Sequence, residues 1–91
     1  MTLSLNNLTF IIVTFKSADV IHECIESLPK NSNIIVIENS NDQELKEELE
    51  KKYSKIKVVV QENSGMGSAN NKGIKLSKTD YVFVINPDVK F

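Results

Sequence analysis

Four short segments of this 91-residue chain carry polar side chains, chiefly those of asparagine, serine and acidic residues, and each lies just after an apolar run. The segments are Phe15-Lys16-Ser17, Glu38-Asn39-Ser40, Glu62-Asn63-Ser64-Gly65 and Asn86-Pro87-Asp88. Such side chains can bind hydroxyl groups, and a carboxylate such as Asp88 can hold a divalent cation whose other ligands come from a substrate. The same residue types also form ordinary turns, so a single segment says little. Four of them at one edge of a sheet would predict a ligand site.

The apolar runs before these segments predict four strands. They are Leu8 to Thr14, Ile34 to Ile37, Ile56 to Val60 and Tyr81 to Ile85. The second run is continuous rather than alternating, which is typical of parallel strands covered on both faces. In an open parallel sheet, ligands bind beyond the carboxyl ends of the strands. The four polar segments therefore belong to the edge where a ligand is expected.

Helical patterns separate the strands. The first covers about Ala18 to Leu28, with Cys24 on its apolar face, and the third ends near Ser77. In the second, Asn41 with Glu44, or alternatively Ser40 with Gln43, has capping-box spacing. Its pairs Glu47–Lys51 and Glu48–Lys52 are spaced for bonding along one helix face.

Ala69 and Gly73 allow the third helix to approach the sheet closely. The order β-α-β-α-β-α-β predicts one α/β domain, with a mostly parallel four-stranded sheet and helices on both faces.

Charge and composition exclude several classes of protein. Eleven lysines and twelve acidic residues give a net charge of −1, so no basic surface attracts nucleic acid. The chain has no arginine, and phosphate binding must rely on backbone amides, lysine or a metal. The apolar runs are too short to span a bilayer. Cys24 is the only cysteine, which favours a cytoplasmic location, including the inner face of the membrane.

Two other sequence features were tested against known site types. Gly65-Met66-Gly67 suggests a dinucleotide site, but Asn70 replaces the third glycine and the loop follows the third strand instead of the first. A receiver-like signalling domain is disfavoured because the first strand ends in Thr14-Phe15-Lys16 rather than in an acidic cluster. A flavodoxin-like domain is disfavoured because no aromatic loop residue beyond Phe15 is well placed to flank a flavin ring. A non-catalytic α/β module that binds a nucleotide or a protein at the same edge remains an alternative.

In order and spacing, the motifs resemble the nucleotide-binding half of family 2 glycosyltransferases, which have the Rossmann-like GT-A fold. The resemblance is carried by Ile11 to Ser17, Ile35 to Asp42, Asn63 to Ile74 and Asp80 to Asp88. The third stretch is similar to the family's Asn-x-Gly-Phe-Gly-x-Ala-x-Asn-x-Gly-Ile pattern. The last has the Asn-Pro-Asp form common in rhamnosyltransferase-like members. Lys16 replaces a usual Asn, Glu38 a usual Asp, and Asn86 removes a charge from the acidic motif.

The resemblance implies a set of site residues. Thr14 and Phe15 would line the nucleobase pocket, Glu38 would contact the base or ribose, and the nucleotide and its phosphates would be bordered by Asn63, Gly65 and Asn70. Asn86 would lie near the ribose or sugar, and Asp88 would ligate Mg²⁺ or Mn²⁺.

The resemblance also implies a reaction. The donor would be a UDP-, dTDP- or GDP-linked sugar, and the acceptor a hydroxyl in cell-surface polysaccharide or glycan synthesis. The general base and the acceptor-binding half are expected downstream of Phe91. These 91 residues are therefore expected to be inactive alone and to self-associate through apolar surface that the other half would cover.

Overall fold

The computed structural model describes residues 8–16, 18–29, 32–53, 55–62, 66–77, 79 and 81–85. Strands and helices alternate in the predicted order: β1 (Leu8–Thr14), α1 (Ala18–Glu26), β2 (Asn33–Glu38), α2 (Gln43–Lys52), β3 (Ile56–Val60), α3 (Met66–Leu76) and β4 (Tyr81–Ile85). Short β-branched runs form the strands because branched side chains pack well on a pleated surface.

The four strands form one sheet in the order β3-β2-β1-β4. All three pairings are parallel, so the sheet predicted to be mostly parallel is parallel throughout the described strands. β1 and β2 occupy its centre. Each residue of these two strands, from Thr9 to Thr14 and from Ile34 to Glu38, is buried. This burial explains why their apolar runs are continuous.

Helices cover both faces of the sheet, as predicted. On one face, Ile12 and Val36 pack with Cys24 of α1 and with Leu45 and Leu49 of α2. Cys24 is a fully buried core residue, which confirms its predicted place on the apolar stripe. On the other face, Val13, Ile35 and Ile37 pack with Val59 and with Leu76 of α3.

Gly73 lets α3 approach β1 closely, which confirms its predicted role. A Cβ atom at this position would lie 2.5 Å from Cγ2 of Ile11, a fully buried side chain. Real Cβ atoms essentially never come so close to a neighbour. The close packing of α3 on the centre of the sheet is therefore possible because residue 73 has no side chain.

Two predicted helix boundaries were wrong. α1 ends at Glu26 because the N–H of Leu28 bonds to Ile25 O at 3.1 Å, a tighter turn, and Ser27 Oγ donates to Cys24 O at 2.7 Å. Leu28 stays buried, so the apolar pattern continues past the end of the helix. At α2 the N-cap is Asp42, and neither predicted capping box forms.

Asp42 caps α2 because its Oδ1 accepts from Leu45 N at 3.0 Å. Asn41 instead has φ 59°, in the left-handed region, and its N–H donates to Gln61 O at 3.0 Å. The Glu48–Lys52 pair predicted along α2 is replaced by ion pairs to α1, one from Lys52 to Glu26 and one between Glu48 and His22. Cross-helix partners are preferred here because α1 and α2 pack on the same face of the sheet.

Candidate functional site

The last residues of β1, β2 and β3 lie level at one edge of the sheet, which we call the carboxyl edge. Thr14 pairs with Glu38, and Glu38 pairs with Val60. Main-chain bonds extend the register: Asn39 N donates to Thr14 O at 2.7 Å, and Gln61 N donates to Glu38 O at 2.9 Å. The structure thus brings together the described residues that directly follow β2 and β3, Asn39 and Gln61, with the end of β1.

Glu38 is the centre of the carboxyl edge. Its side chain is fully buried, and its carboxylate accepts four hydrogen bonds. Oε1 accepts from Thr14 Oγ1 at 3.3 Å and from Ser40 Oγ at 2.5 Å. Oε2 accepts from the backbone N–H groups of Ser40 at 3.0 Å and Asp42 at 2.8 Å. A buried carboxylate is stable only with such compensation, so Glu38 joins the end of β1 to the entire turn before α2.

The turns around Glu38 take backbone conformations that are uncommon for residues with side chains. Lys16 has φ 55° and Asn41 has φ 59°, both in the left-handed region. Lys16 N donates to Ser40 Oγ at 3.2 Å, which connects the loop after β1 to the loop after β2. Asn tolerates this region better than Lys does, so the structure around Lys16 must stabilise its turn. Strained backbone of this kind is enriched at functional sites, although single left-handed residues also occur in ordinary turns.

Thr14 and Phe15, the residues predicted at the nucleobase pocket, take opposite environments. Thr14 is fully buried and donates its hydroxyl proton to Glu38. Phe15 is 46% exposed, and the ammonium of Lys16 lies 5.5 Å from the centre of its ring. Of these two residues, Phe15 therefore presents the accessible surface, an aromatic ring on which a planar group could stack.

A polar chain at the β3 end of the carboxyl edge was missed at the level of sequence. Gln61 Nε2 donates to Asn39 Oδ1 at 2.9 Å, and Lys72 Nζ of α3 donates to Gln61 Oε1 at 3.0 Å. Asn39 is only 2% exposed, whereas Lys72 is exposed. The positions of Asn39 and Gln61 directly after their strands were a usable signal. Nothing in the pattern of α3 distinguished Lys72 from a lysine facing solvent.

The remaining predicted site residues cannot be placed. Asn63, Gly65, Asn86 and Asp88 lie outside the described residues, and Asn70 is described only as part of the α3 backbone. Within the described ranges, no group of three or more His, Cys, Asp or Glu side chains could hold a metal ion.

A separate cleft of about 490 Å³ lies at the opposite end of the sheet, and we call it the amino-end cleft. It lies between the last turns of α1 and α2 and the first residues of β2 and β3. Its lining is formed by Ile25, Glu26, Leu28, Pro29, Ser32, Ile34, Lys52, Tyr53, Lys55 and Ile56. This cleft lacks the buried carboxylate and the fixed strand-end turns of the carboxyl edge. We therefore assign the candidate site to the carboxyl edge.

Side chains from α1 and from the end of α2 are bonded to one another at the amino-end cleft. Tyr53 Oη donates to Glu26 Oε2 at 2.8 Å, Lys52 Nζ donates to the same oxygen at 3.2 Å, and His22 Nδ1 lies 3.2 Å from Tyr53 Oη. The bond from Tyr53, followed by the bond and the charge of Lys52, lowers the pKa of Glu26. Partial burial and the bond to Glu26 raise the pKa of Tyr53.

Comparison with known proteins gives one consistent result. Residues 9–91 match the family described as Glycosyl transferase family 2. The chain is 28% identical over 87 residues to the putative glycosyltransferase EpsH of Bacillus subtilis (strain 168), and 30% identical over 87 residues to the uncharacterized glycosyltransferase EpsJ of the same organism. Each alignment covers 88% of this chain and 25% of the relative.

A solved structure has the same fold. The crystal structure of S. aureus TarS 1-349 matches with a TM-score of 0.73 and 25% identity, over 90% of this chain and 27% of that one. The chain thus spans about a quarter of the length of the proteins that it matches. The family match covers all four strands and all three helices, and the solved structure agrees with their arrangement. The chain therefore belongs to glycosyl transferase family 2 and has its Rossmann-like GT-A fold.

Proposed function

We propose that these residues form the donor-binding part of an enzyme that transfers a sugar from a nucleoside-diphosphate sugar to an acceptor hydroxyl. One observation carries the proposal: in a chain of this family, the strand-end turns are fixed around the buried carboxylate of Glu38, at the edge where parallel sheets bind ligands. The Bacillus relatives are named as glycosyltransferases, which supports the reaction class. Synthesis of a cell-surface polysaccharide or glycan is the biological role that we propose.

At the carboxyl edge, Phe15 would stack on the nucleobase. Thr14 was expected to line the nucleobase pocket and Glu38 to contact the base or ribose, but both side chains are fully buried, and we propose instead that they fix the turns around the base. The exposed ring of Phe15 supports the first role, and the four bonds to Glu38 support the second. Glu38 is an unsuitable general base, because it is fully buried and its oxygens are occupied by donors from this chain. A carboxylate that accepts the acceptor's proton would have to come from another part of the protein.

The proposal assigns the rest of the donor to residues whose side chains the structure does not describe. Asn63, Gly65 and Asn70 would border the nucleotide and its phosphates, and Asn86 would lie near the ribose or sugar. Asp88, together with diphosphate oxygens and water, would hold Mg²⁺ or Mn²⁺, which neutralises charge on the diphosphate. The Asn-Pro-Asp form of this segment makes a rhamnose donor one of the sugars to test. The 91 residues would bind the donor without transferring the sugar.

The experiment is a titration of the chain with UDP, dTDP, GDP and their sugars, with and without Mn²⁺ or Mg²⁺, followed by NMR and by thermal shift. A ligand present at 100 times its Kd stabilises a protein by about 2.7 kcal/mol, so millimolar ligand reveals weak binding. Binding that the metal strengthens, and that Asp88→Ala weakens, would support the proposal. Nucleotide binding with the same affinity in the presence and absence of the metal would favour a non-catalytic module. If a folded sample bound none of these nucleotides, the proposal would be wrong.

Self-association is a further part of the proposal, supported by the apolar surface of β4. Tyr81, Val82, Phe83 and Val84 are all exposed large apolar residues, and Phe83 reaches 49%. Exposed apolar surface that is contiguous tends to be covered by association. Sedimentation velocity over a hundredfold range of concentration should show a rising average mass. A monomer at every concentration would contradict this part alone.

The proposed location is the cytoplasm, including the inner face of the membrane. It is supported by the single cysteine, Cys24, which is buried in the core and rules out a disulfide within the chain. None of the helices in the described ranges is long and apolar enough to cross a membrane. Fractionation of cells that express the full-length protein, with antibody detection of this domain, would test the location.

A further inference from the structure

Lys72 is held at the carboxyl edge by bonds that reach the buried floor of the site. Its Nζ donates to Gln61 Oε1 at 3.0 Å, and Gln61 Nε2 donates to Asn39 Oδ1 at 2.9 Å. Asn39 is buried and bonded through its own N–H to Thr14 O. Because α3 starts at the carboxyl edge and helical side chains tilt toward the helix start, the ammonium reaches back to the strand ends. Its position is therefore set by the same turns that Glu38 organises.

The charge of Lys72 is not neutralised by the part of the protein that the structure describes. The ion pairs recorded there are His22–Glu48 and Lys52–Glu26, and Gln61 is a neutral acceptor. An ammonium group carries three hydrogens, and the bond to Gln61 uses one of them. Since the chain has no arginine, lysine is the side chain that can supply positive charge at this edge. Lys72 is thus positioned to donate to an oxygen acceptor.

The sheet order indicates which part of a donor would meet Lys72. β3 and β4 are the two outer strands of the sheet, three strand spacings apart, which is about 14 Å. Gln61, which holds Lys72, directly follows β3, and the segment that contains Asp88 follows β4. A donor whose diphosphate lies near Asp88 would extend its nucleoside toward the β3 end.

We propose that Lys72 is a specificity-determining residue that donates a hydrogen bond to an oxygen of the donor's nucleoside, with Gln61 and Asn39 as positioning residues. The inference rests on the proposed function, because it takes the diphosphate to lie near Asp88. An ammonium at this place favours a base that presents a carbonyl oxygen over one that presents an amino group. The ribose hydroxyls are the other oxygen acceptors within the nucleoside.

The test compares Lys72→Met with wild type and with Lys75→Met, a matched loss of one exposed lysine in the last turn of the same helix. Each protein is titrated by ¹H–¹⁵N NMR with UDP, uridine and inorganic diphosphate, and with the dTDP and GDP counterparts if UDP is silent. A hydrogen bond to a charged group changes binding about tenfold or more. We expect Lys72→Met to weaken the nucleotide and its nucleoside by this factor, with diphosphate unchanged. Lys75→Met should stay within twofold of wild type.

Two further variants keep the inference testable if the lysine substitution disturbs α3. Lys72→Arg should retain most of the affinity, because it keeps a cationic donor. Gln61→Glu should weaken the nucleoside as Lys72→Met does, because the new carboxylate would pair with the ammonium. It also removes the donor to Asn39 Oδ1, so its folding is checked first by the dispersion of its ¹H–¹⁵N spectrum. A comparison of a nucleoside with its 2′-deoxy form separates base from ribose. If the two bind wild type with equal affinity, and Lys72→Met weakens both by the same factor, the contact is to the base.

The outcomes separate this inference from the proposed function. If wild type binds a nucleotide and Lys72→Met binds it equally well, the inference is overturned and the proposed function stands. If Lys72→Met weakens inorganic diphosphate as strongly as the nucleoside, the lysine serves the phosphates and the nucleoside placement is overturned. If a folded wild-type sample binds no nucleotide, the proposed function and this inference fail together.

Discussion

The carboxyl edge and the amino-end cleft are both built from bonded polar side chains, yet their construction differs. At the carboxyl edge, one fully buried carboxylate, Glu38, accepts two backbone N–H groups and two hydroxyls, and three of the four donors come from Ser40 and Asp42 in the adjoining turn. At the amino-end cleft, Glu26 and its partner Lys52 are exposed and meet from different helices. The first network is mostly local in sequence and centres on a fully buried carboxylate. The second joins two helices through exposed side chains.

This difference decides what each network contributes. In a buried site the loss of an acceptor leaves donors without water, so the bonds around Glu38 act strongly on stability and on the shape of the turns. Exposed pairs are screened by water and salt and contribute little. A site that must hold its turns fixed before a ligand arrives needs the first kind of construction, which is what the carboxyl edge has.

Glu38→Ala should have the largest effect on stability of the changes considered. It removes the acceptor for four donors and leaves a cavity, and we expect a loss of about 3 kcal/mol or more in the free energy of unfolding, measured by urea denaturation. Glu47→Ala, at an exposed position of α2, is the control and should change stability by less than about 0.5 kcal/mol. Glu38→Gln should lose less, because the hydroxyls of Thr14 and Ser40 can turn to accept from the new amide. Equal stability of Glu38→Ala and the control would remove the contrast between the two regions.

Gly73→Ala should have the next largest effect. Alanine favours a helix over glycine by about 1 kcal/mol, but its Cβ would meet the buried Ile11 side chain at 2.5 Å. Overpacking of this kind costs about 1–3 kcal/mol, so we expect a net loss of about 1 kcal/mol and a displaced α3. The displacement should also change the amide NMR shifts of Gln61, which Lys72 of α3 contacts, and of Asn39, which Gln61 contacts. Ser68→Ala, at an exposed position near the start of the helix, controls for helix propensity. If Gly73→Ala were more stable than wild type and left these amide shifts unchanged, α3 would not fix the carboxyl edge.

Asp42→Ala should cost about 1 kcal/mol, the usual value of an N-cap. The Asp42 side chain accepts from Leu45 N at 3.0 Å, and its own N–H is held by Glu38 at 2.8 Å. Because the backbone bond to Glu38 survives the substitution, the turn should keep its shape and only the helix start should weaken. Asp42→Asn, which retains a capping oxygen, should lose less than half as much in the same urea titration. A loss as large as that of Glu38→Ala would mean that the cap, and not the buried carboxylate, organises the turn.

The elements of the fold could be predicted from sequence because the apolar pattern reports burial directly. Continuous runs in β1 and β2 correspond to strands covered on both faces. The same logic failed at Leu28, because that side chain is buried although the helix has already ended. It failed again at the α2 cap, where three neighbouring residues, Ser40, Asn41 and Asp42, are all good capping types. The buried Glu38 selects among them by fixing the N–H of Asp42.

The candidate site could be predicted only in part. The positions of Thr14, Glu38 and Asn39 at one edge follow from strand ends, and the parallel sheet confirms them. The contact between Lys72 and Gln61 does not, since it depends on how closely α3 packs and on a side-chain conformation that sequence spacing does not fix. The pairing of Glu48 with His22 was also missed. Lys52 lies four residues after Glu48 and therefore looked like its partner along α2.

The smallest expected effect is a pH-dependent one at the amino-end cleft. The bond from Tyr53 and the proximity of Lys52 lower the pKa of Glu26 below its ordinary 4.5, so the folded state favours the ionised carboxylate. Its contribution is therefore complete above about pH 4.5 and is lost as the pH falls through the lower folded value. The pKa of Tyr53 is raised above its ordinary 10.0, so its contribution is present below pH 10 and lost only in stronger alkali.

Glu26→Gln should therefore lower stability between about pH 5 and pH 9 by less than Asp42→Ala does. Its difference from wild type should shrink as the pH falls below 4.5 and through the lowered pKa of Glu26 in the folded state. Urea denaturation at several pH values measures this difference, and Glu47→Gln controls for the loss of one exposed negative charge on α2. Tyr53→Phe removes the main cause of the lowered pKa of Glu26. The loss of stability that wild type shows on acidification (the pH-dependent step) should therefore become smaller in Tyr53→Phe and approach that of Glu26→Gln. Added salt should weaken the step as well, because both Glu26 and Lys52 are exposed. A step that survives both salt and Tyr53→Phe would mean that the amino-end cleft holds a carboxylate as protected as Glu38, and the two ends of the sheet would then be alike.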